Sequence, residues 1–160
     1  DDRYALYQYT SPAGNVMLTP NACIVFAIKL QTGKIEYRNG KWRQQVGAFK
    51  RFFGWMTQES LGNPTRDSQV EVDSVRRFLA KKLPDQDVPV QSVIVFGDPK
   101  AEVNAADSPV PAMHAKKLKE WLRNRAKSGG LTPELRSQLA DVFEAQGTVT
   151  TPVATTDEAE

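Results

Sequence analysis

The sequence predicts an α/β (α+β) domain with a central mixed β-sheet flanked by helices. Two apolar runs rich in β-branched and aromatic residues, 22–28 and 90–96, are too short for ordinary helices and indicate strands buried on both faces. Between them, apolar residues recur at helical spacing over residues 64–83. The order strand, helix, strand indicates a crossover between parallel strands. We therefore expect a sheet of about five or six strands.

The composition is typical of one soluble globular domain. The 160 residues are 40% hydrophobic and 25% charged, and a chain of this length buries about 70% of its unfolded surface. One cysteine, Cys23, and one histidine, His114, exclude an internal disulfide and a zinc site built from Cys and His. No apolar stretch reaches about 18 residues, so the sequence predicts no membrane span.

A hairpin follows the first apolar strand. Asn39-Gly40 lies between two polar and aromatic arms, which is the strongest short-range signal for a two-residue type I′ turn. Such a turn sets the register of the two arms. The predicted cross-strand pairs are Arg38 with Lys41, Tyr37 with Trp42, and Glu36 with Arg43.

The remaining elements follow from periodicity and from Pro and Gly positions. Strands are expected at 4–10 and 16–19, where they form a meander with 22–28, and a short edge strand is expected at 110–113. Further helices are predicted at 46–56, 115–127 and 132–145. From Gly147 onward no periodicity remains, so we expect one domain over 1–146 and a flexible tail over 147–160.

Several sequence blocks share their order and spacing with a known family. The blocks are Gly14-Asn-Val-Met-Leu-Thr-Pro20, the strand ending Ala27-Ile-Lys29, Lys41-Trp-Arg43, Gly62-Asn-Pro64, the strand 92–96, Ala101-Glu-Val103 and Ser108-Pro-Val-Pro111. Over roughly residues 15–127 the chain resembles the nuclease-related domain (NERD) family, a relative of the PD-(D/E)XK nucleases. The resemblance implies a restriction-endonuclease-like fold.

The family's metal ligands are missing from this sequence. Its activity depends on an Asp and a Glu that hold Mg²⁺, and on a lysine that offsets charge on the phosphate. Aligned from Lys29, the Asp falls on Gly14, the following His on Asn15 and the Glu on Ala27. Only Lys29 remains, as a relic of the catalytic site. The resemblance therefore implies a degenerate, catalytically inactive member that holds no metal or other cofactor.

Two residues remain as catalytic candidates, each with a plainer alternative. Lys29 is either a relic or phosphate contact, or a strand-end lysine that reaches water. Glu36 is a weak substitute for the lost carboxylate, but an opposite-charge cross-strand pair with Arg43 is the plainer and favoured explanation. The alternative function is an active Mg²⁺-dependent nuclease with relocated carboxylates, taken from Glu36, Glu59 or Asp67.

Basic residues concentrate in two segments. Residues 29–51 hold seven basic residues against the single acid Glu36, and residues 116–127 hold six against Glu120. These segments are either a surface for nucleic acid or another polyanion, or ordinary solvated faces. The predicted anion-binding residues are Lys29, Lys34, Lys41 and Arg43.

The function expected from these features is binding or scaffolding, with nucleic acid or a protein as the partner. A further alternative is a protein-interaction domain of a membrane-anchored protein. Because the chain begins at Asp1 rather than Met, we expect it to be part of a longer protein. Proteins that it resembles carry membrane-spanning segments ahead of the domain, which implies a cytoplasmic location, with the inner face of a membrane as one version of it.

Overall fold

The computed structural model describes residues 4–8, 13–47, 60–125, 130–146 and 148–150. These residues form two mixed sheets and three α-helices, which confirms the predicted α+β class. The strands are β1 Ala5–Gln8, β2 Asn15–Leu18, β3 Cys23–Lys29, β4 Gly33–Arg38, β5 Lys41–Gln45, β6 Val90–Phe96, β7 Ala101–Asn104, β8 Ala112–His114 and β9 Thr148–Thr150. The helices are α1 Pro64–Lys82, α2 Leu118–Arg125 and α3 Pro133–Glu144, and a single 3₁₀ turn, Ala115–Lys117, leads into α2.

The first sheet has six strands in the order β8-β6-β3-β2-β1-β9. Strands β1, β2 and β3 form the predicted antiparallel meander. After β3 the chain passes through the second sheet and α1 before it returns as β6, parallel to β3, as the crossover prediction required. Helices cover both faces of β3 and β6. This double cover explains why both strands are almost continuously apolar.

The side chains of β3 alternate between two core clusters. Cys23 and Val25 pack with α1 and α3, while Ile24 and Phe26 pack with α2 on the opposite face. The α1 residues in the first cluster are Val72, Val75 and Leu79, and the α2 residues in the second are Leu118, Trp121 and Leu122. Burial also raises the pKa of the Cys23 thiol to about 12. Cys23 is therefore a packing residue rather than a nucleophile.

Helix α1 begins and ends where the sequence predicts. The Asn63 side chain accepts a hydrogen bond from the backbone N–H of Arg66, at 3.2 Å, and Pro64 occupies the first helical position. The helix ends at Lys82, just before Leu83 and Pro84.

The hairpin belongs to a second, three-stranded sheet in the order β5-β4-β7. All three predicted cross-strand pairs are present. Asn39 and Gly40 have φ values of 51° and 74°, as a type I′ turn requires. We predicted neither β7 nor the division into two sheets, because β7 has only four residues and half of them are polar.

Other elements differ from the predictions at their ends. Thr148–Thr150, within the predicted tail, pair with β1 as strand β9, because the edge of β1 supplies a partner that no local pattern indicates. The edge strand expected at 110–113 is Ala112–His114, since Pro111 has no N–H to donate to a ladder. Helix α2 follows a 3₁₀ turn and is described as far as Arg125, and residues 126 and 127 of the predicted helix lie outside the described residues. The predicted helix at 46–56 and the tail beyond residue 150 fall mostly or wholly outside the described residues.

Candidate functional site

Lys29 lies at the end of β3, opposite Phe96 of the parallel strand β6. Its Nζ donates a hydrogen bond to Oδ2 of Asp67, in the first turn of α1, over 2.9 Å. The Lys29 side chain is 20% exposed and that of Asp67 is 50% exposed. The catalytic lysine predicted from the sequence is therefore a sheltered amine already paired with a carboxylate.

Glu71 follows Asp67 by one helical turn. It is half-buried, and burial raises the pKa of its carboxyl, with a further increase from the charge of Asp67 and a decrease from the charge of Lys29. Residues four apart lie on one face of a helix, so both carboxylates belong to the side of α1 that approaches Lys29. Asp67 is one of the alternative ligands predicted from the sequence, whereas Glu71 was not predicted. The signal was present as an acidic i,i+4 pair at the start of α1.

The two positions where the resemblance places metal ligands lie at the same end of the β2–β3 ladder. The ladder ends with Val16 opposite Val25, and Gly14 and Ala27 each lie two residues beyond this last pair. Ala27 is on the same face of β3 as Lys29. Ala27 is buried, whereas Gly14 is exposed and has no atom within 4 Å of where a Cβ would lie. Neither residue offers an oxygen ligand, so the side chains present there do not fit Mg²⁺.

Among the described residues, no group of three or more His, Cys, Asp or Glu side chains is arranged to hold a metal ion. The described carboxylates that interact with Lys29, those of Asp67 and Glu71, come from α1 rather than from the strands. Glu59, another predicted ligand, lies outside the described residues.

Glu36 is on a different surface from Lys29. Its neighbour Ile35 is fully buried in a cluster with Ala27 and Phe96. Side chains alternate along a strand, so Glu36 points to the opposite face of the second sheet. There it is paired with Arg43 on β5. The predicted cross-strand pairing of Glu36 with Arg43 is confirmed, and a catalytic role for Glu36 stays a prediction.

We call this opposite face of the second sheet the hairpin face. Cross-strand partners share a face, and four exposed basic residues and two acidic residues lie on it. They are Lys34, Arg38, Lys41 and Arg43, with Glu36 and Glu102. Three of the four predicted anion-binding residues are thus together, joined by Arg38. Lys29 is in the other sheet.

The inner side of the hairpin docks onto α1 through Trp42. Its Nε1 donates a hydrogen bond to Oγ1 of Thr65, over 2.8 Å. The Trp42 ring is 5.1 Å from the ring of Tyr37 and 5.9 Å from that of Phe96, measured between centroids. These contacts hold the hairpin on the start of α1 and leave the hairpin face open to solvent.

Comparison with protein-family models, with curated protein sequences and with solved structures returned no match to this chain. The resemblance to the nuclease-related family therefore rests on the sequence blocks alone. In the part of the chain that the structure describes, none of the helices has the length and apolar character needed to span a bilayer.

Proposed function

We propose that this chain is a nuclease-related domain that lacks metal-dependent catalysis and binds an anionic partner, in the first place nucleic acid, through the hairpin face. One observation carries the proposal. Gly14 and Ala27, at the same end of the β2–β3 ladder as Lys29, carry no side-chain oxygen, and the amine of Lys29 donates a hydrogen bond to Asp67. The proposal includes a restriction-endonuclease-like first sheet, which the meander β1 to β3 followed by α1 and parallel β6 supports.

The chemistry of the site accounts for the loss of activity. Mg²⁺ requires several oxygen ligands, and phosphodiester cleavage needs the metal to activate water and stabilise the developing charge. Glycine and alanine supply no ligands at the two strand positions. An amine that is paired with Asp67 is also less available to a phosphate.

Charge on the hairpin face supports anion binding. The face holds four basic and two acidic residues, all on two strands and the adjoining β7. Binding to nucleic acid depends on lysine and arginine neutralising phosphates, and needs no base-specific contacts. A backbone-binding module with modest affinity is the function that fits this surface. A cytoplasmic location is part of the same proposal.

Fluorescence anisotropy with a labelled DNA duplex tests this binding. We expect affinity to fall steeply with salt, and the double variant Lys41→Gln/Arg43→Gln to weaken binding about tenfold or more. The matched control is Lys117→Gln/Lys119→Gln, which removes two exposed charges from the other basic segment. Equal losses in both variants would contradict a specific hairpin face. Absence of binding at any salt would favour a protein-interaction domain instead.

A second candidate function is a Mg²⁺-dependent nuclease that uses the carboxylates of α1. The observation that favours it is the 2.9 Å contact of Asp67 with Lys29, with Glu71 one turn further on. Incubation of the purified domain with plasmid DNA and Mg²⁺ or Mn²⁺ distinguishes the two. We expect no cleavage. Cleavage that disappears in both Lys29→Ala and Asp67→Asn would replace the first proposal with this one.

A further inference from the structure

A cavity of about 290 Å³ lies at the edge of the first sheet, away from Lys29 and the hairpin face. Strand β8 pairs with β6 only from Ile94 onward, so none of the described strands pairs with this edge of β6 along residues 90–92. Pro109 and Pro111 lie beside this edge, and the N–H of Ile94 donates to the carbonyl of Pro111 over 2.8 Å. Val90, Gln91 and Ser92 of β6 are among the residues that line this cavity.

Two arginines line this cavity, and they come from helices on opposite faces of the first sheet. Arg76 comes from α1, which packs on the Cys23 and Val25 face of the sheet, and Arg125 comes from α2, on the other face. Both guanidinium groups line the same cavity. Their convergence depends on the open edge, because a complete sheet would separate the two layers.

Neighbouring groups hold both arginines in place. Nη2 of Arg76 donates to the carbonyl of Val90 over 3.1 Å. Arg125 donates to Oε1 of Gln91, and its Cζ is 4.9 Å from the centre of the Trp121 ring. A guanidinium fixed in this way loses little side-chain entropy when it binds a ligand.

The other residues that line the cavity are apolar or neutral. Val72, Val90 and Val110 form an apolar wall, with polar groups from Gln69, Gln91 and Ser92. No acidic residue is among the described residues of the lining. Asp73, which is not among these lining residues, contacts Nη1 of Arg76 at 3.5 Å, and both side chains are about half exposed.

We propose that this cavity binds a small organic oxyanion, a carboxylate or phosphate monoester attached to a compact apolar body. The planar fork of a guanidinium matches both oxyanions, and the valine and proline walls suit an apolar group. A volume near 290 Å³ is at the lower end for ligand sites, so the ligand has about the size of one ring. The site does not depend on the nuclease-related function proposed above.

Titration of isotope-labelled protein with phenyl phosphate and with benzoate, followed by NMR, tests the proposal. We expect saturable shifts of the amide signals of Gln91 and Ser92, with one or both probes. Benzyl alcohol, a neutral probe of similar size, should cause none. If it shifts the same signals with equal affinity, the site is not an oxyanion site.

Variants assign the binding to the two arginines. Arg76→Gln and Arg125→Gln should each weaken the bound probe about tenfold or more, because each removes charge-assisted hydrogen bonds. The matched controls are Arg77→Gln and Arg123→Gln, exposed neighbours on the same two helices, which should bind as the wild type does.

Loss of structure could also weaken binding in the Arg125 variant, because Arg125 contacts Gln91 and Trp121. This variant is therefore accepted only if its NMR spectrum stays well dispersed.

A further variant, Arg76→Lys, keeps the charge of Arg76 but loses the planar guanidinium. We expect its affinity to lie between those of the wild type and Arg76→Gln. Shifts that do not saturate, or equal losses in the control variants, would overturn the proposal. Unchanged binding in both Arg76→Gln and Arg76→Lys would do the same.

Discussion

A lysine at the end of a buried strand can reach water, a ligand or a carboxylate, and Lys29 reaches Asp67. The two residues are 38 positions apart in the chain, yet Nζ and Oδ2 are 2.9 Å apart. Since half of the Asp67 side chain is exposed, this pair adds at most about 1 kcal/mol to stability. Its consequence is chemical rather than energetic, because it occupies the one amine that the resemblance implies for catalysis.

The carboxyl of Glu71 makes the stability of the folded protein depend on pH. Burial raises the pKa of its carboxyl in the folded protein, above an ordinary value of 4.5. Below the pKa of the unfolded chain, the carboxyl is protonated in both the folded and the unfolded protein, and its contribution to stability is fully present. That contribution is lost as pH rises through the pKa of the folded protein. Glu71→Gln should accordingly increase the free energy of unfolding at neutral pH, with a smaller gain in acid.

Urea unfolding at neutral pH and at about pH 3.5, below the ordinary glutamate pKa, measures this difference. Glu102→Gln, on the exposed hairpin face, is the control and should change stability little at either pH. A loss of stability in Glu71→Gln at neutral pH would mean that attraction to Lys29 outweighs the cost of burial.

At the level of elements, two glycines with positive φ have different roles in the second sheet. Gly40, with φ 74°, is in the turn, and no atom lies within 4 Å of its missing Cβ. Gly33, with φ 87°, begins β4, and a Cβ there would be 2.4 Å from the carbonyl oxygen of Gln45. Gly33 therefore permits both the backbone turn into the second sheet and the close approach of β5.

This difference predicts unequal costs for the same substitution. Gly40→Ala should lose about 1 kcal/mol or slightly more, the usual penalty of positive φ for alanine. Gly33→Ala should lose distinctly more, because the backbone of β5 must also move. Thermal unfolding of the two variants measures the difference. Equal losses of stability in the two variants would show that the backbone of β5 moves away from the added methyl group without a measurable loss of free energy.

At the scale of the whole molecule, the two sheets share one apolar cluster. Ala27, Ile94 and Phe96 of the first sheet contact Ile35 and Ala101 of the second. Helix α1 spans both: it packs on β3 and β6, and it binds Trp42 through Thr65. The hairpin face is therefore supported by the first sheet and positioned by the beginning of α1.

Trp42→Phe tests this coupling. The variant keeps an aromatic ring near Tyr37 and Phe96 but removes the hydrogen bond to Thr65, which should cost about 1 kcal/mol. Hydrogen exchange should become faster in β4 and β5 and remain nearly unchanged in β1 to β3. Tyr37→Phe, which keeps the ring beside Trp42, is the control. Uniformly faster exchange in both sheets would indicate a single cooperative unit instead.

Elements with strong local signals were predictable from the sequence. The apolar runs determined β3 and β6, Asn39-Gly40 determined the hairpin and its register, and Asn63-Pro64 determined the start of α1. These elements depend on periodicity, turn chemistry and capping, which act over a few residues. Of the candidate site, the position of Lys29 at the end of β3 was also predictable, whereas the ligand positions at Gly14 and Ala27 are implied by the resemblance alone.

Only the tertiary structure decided what lies far apart in the chain and close in space. It divided the strands between two sheets and paired β9 with β1. It also separated Lys29 from the hairpin face and brought Asp67 into contact with Lys29. It also placed Arg76 and Arg125 at one open edge. The physical reason is that such contacts depend on how the crossover lays α1 and α2 on opposite faces of the sheet, and no local pattern encodes that placement.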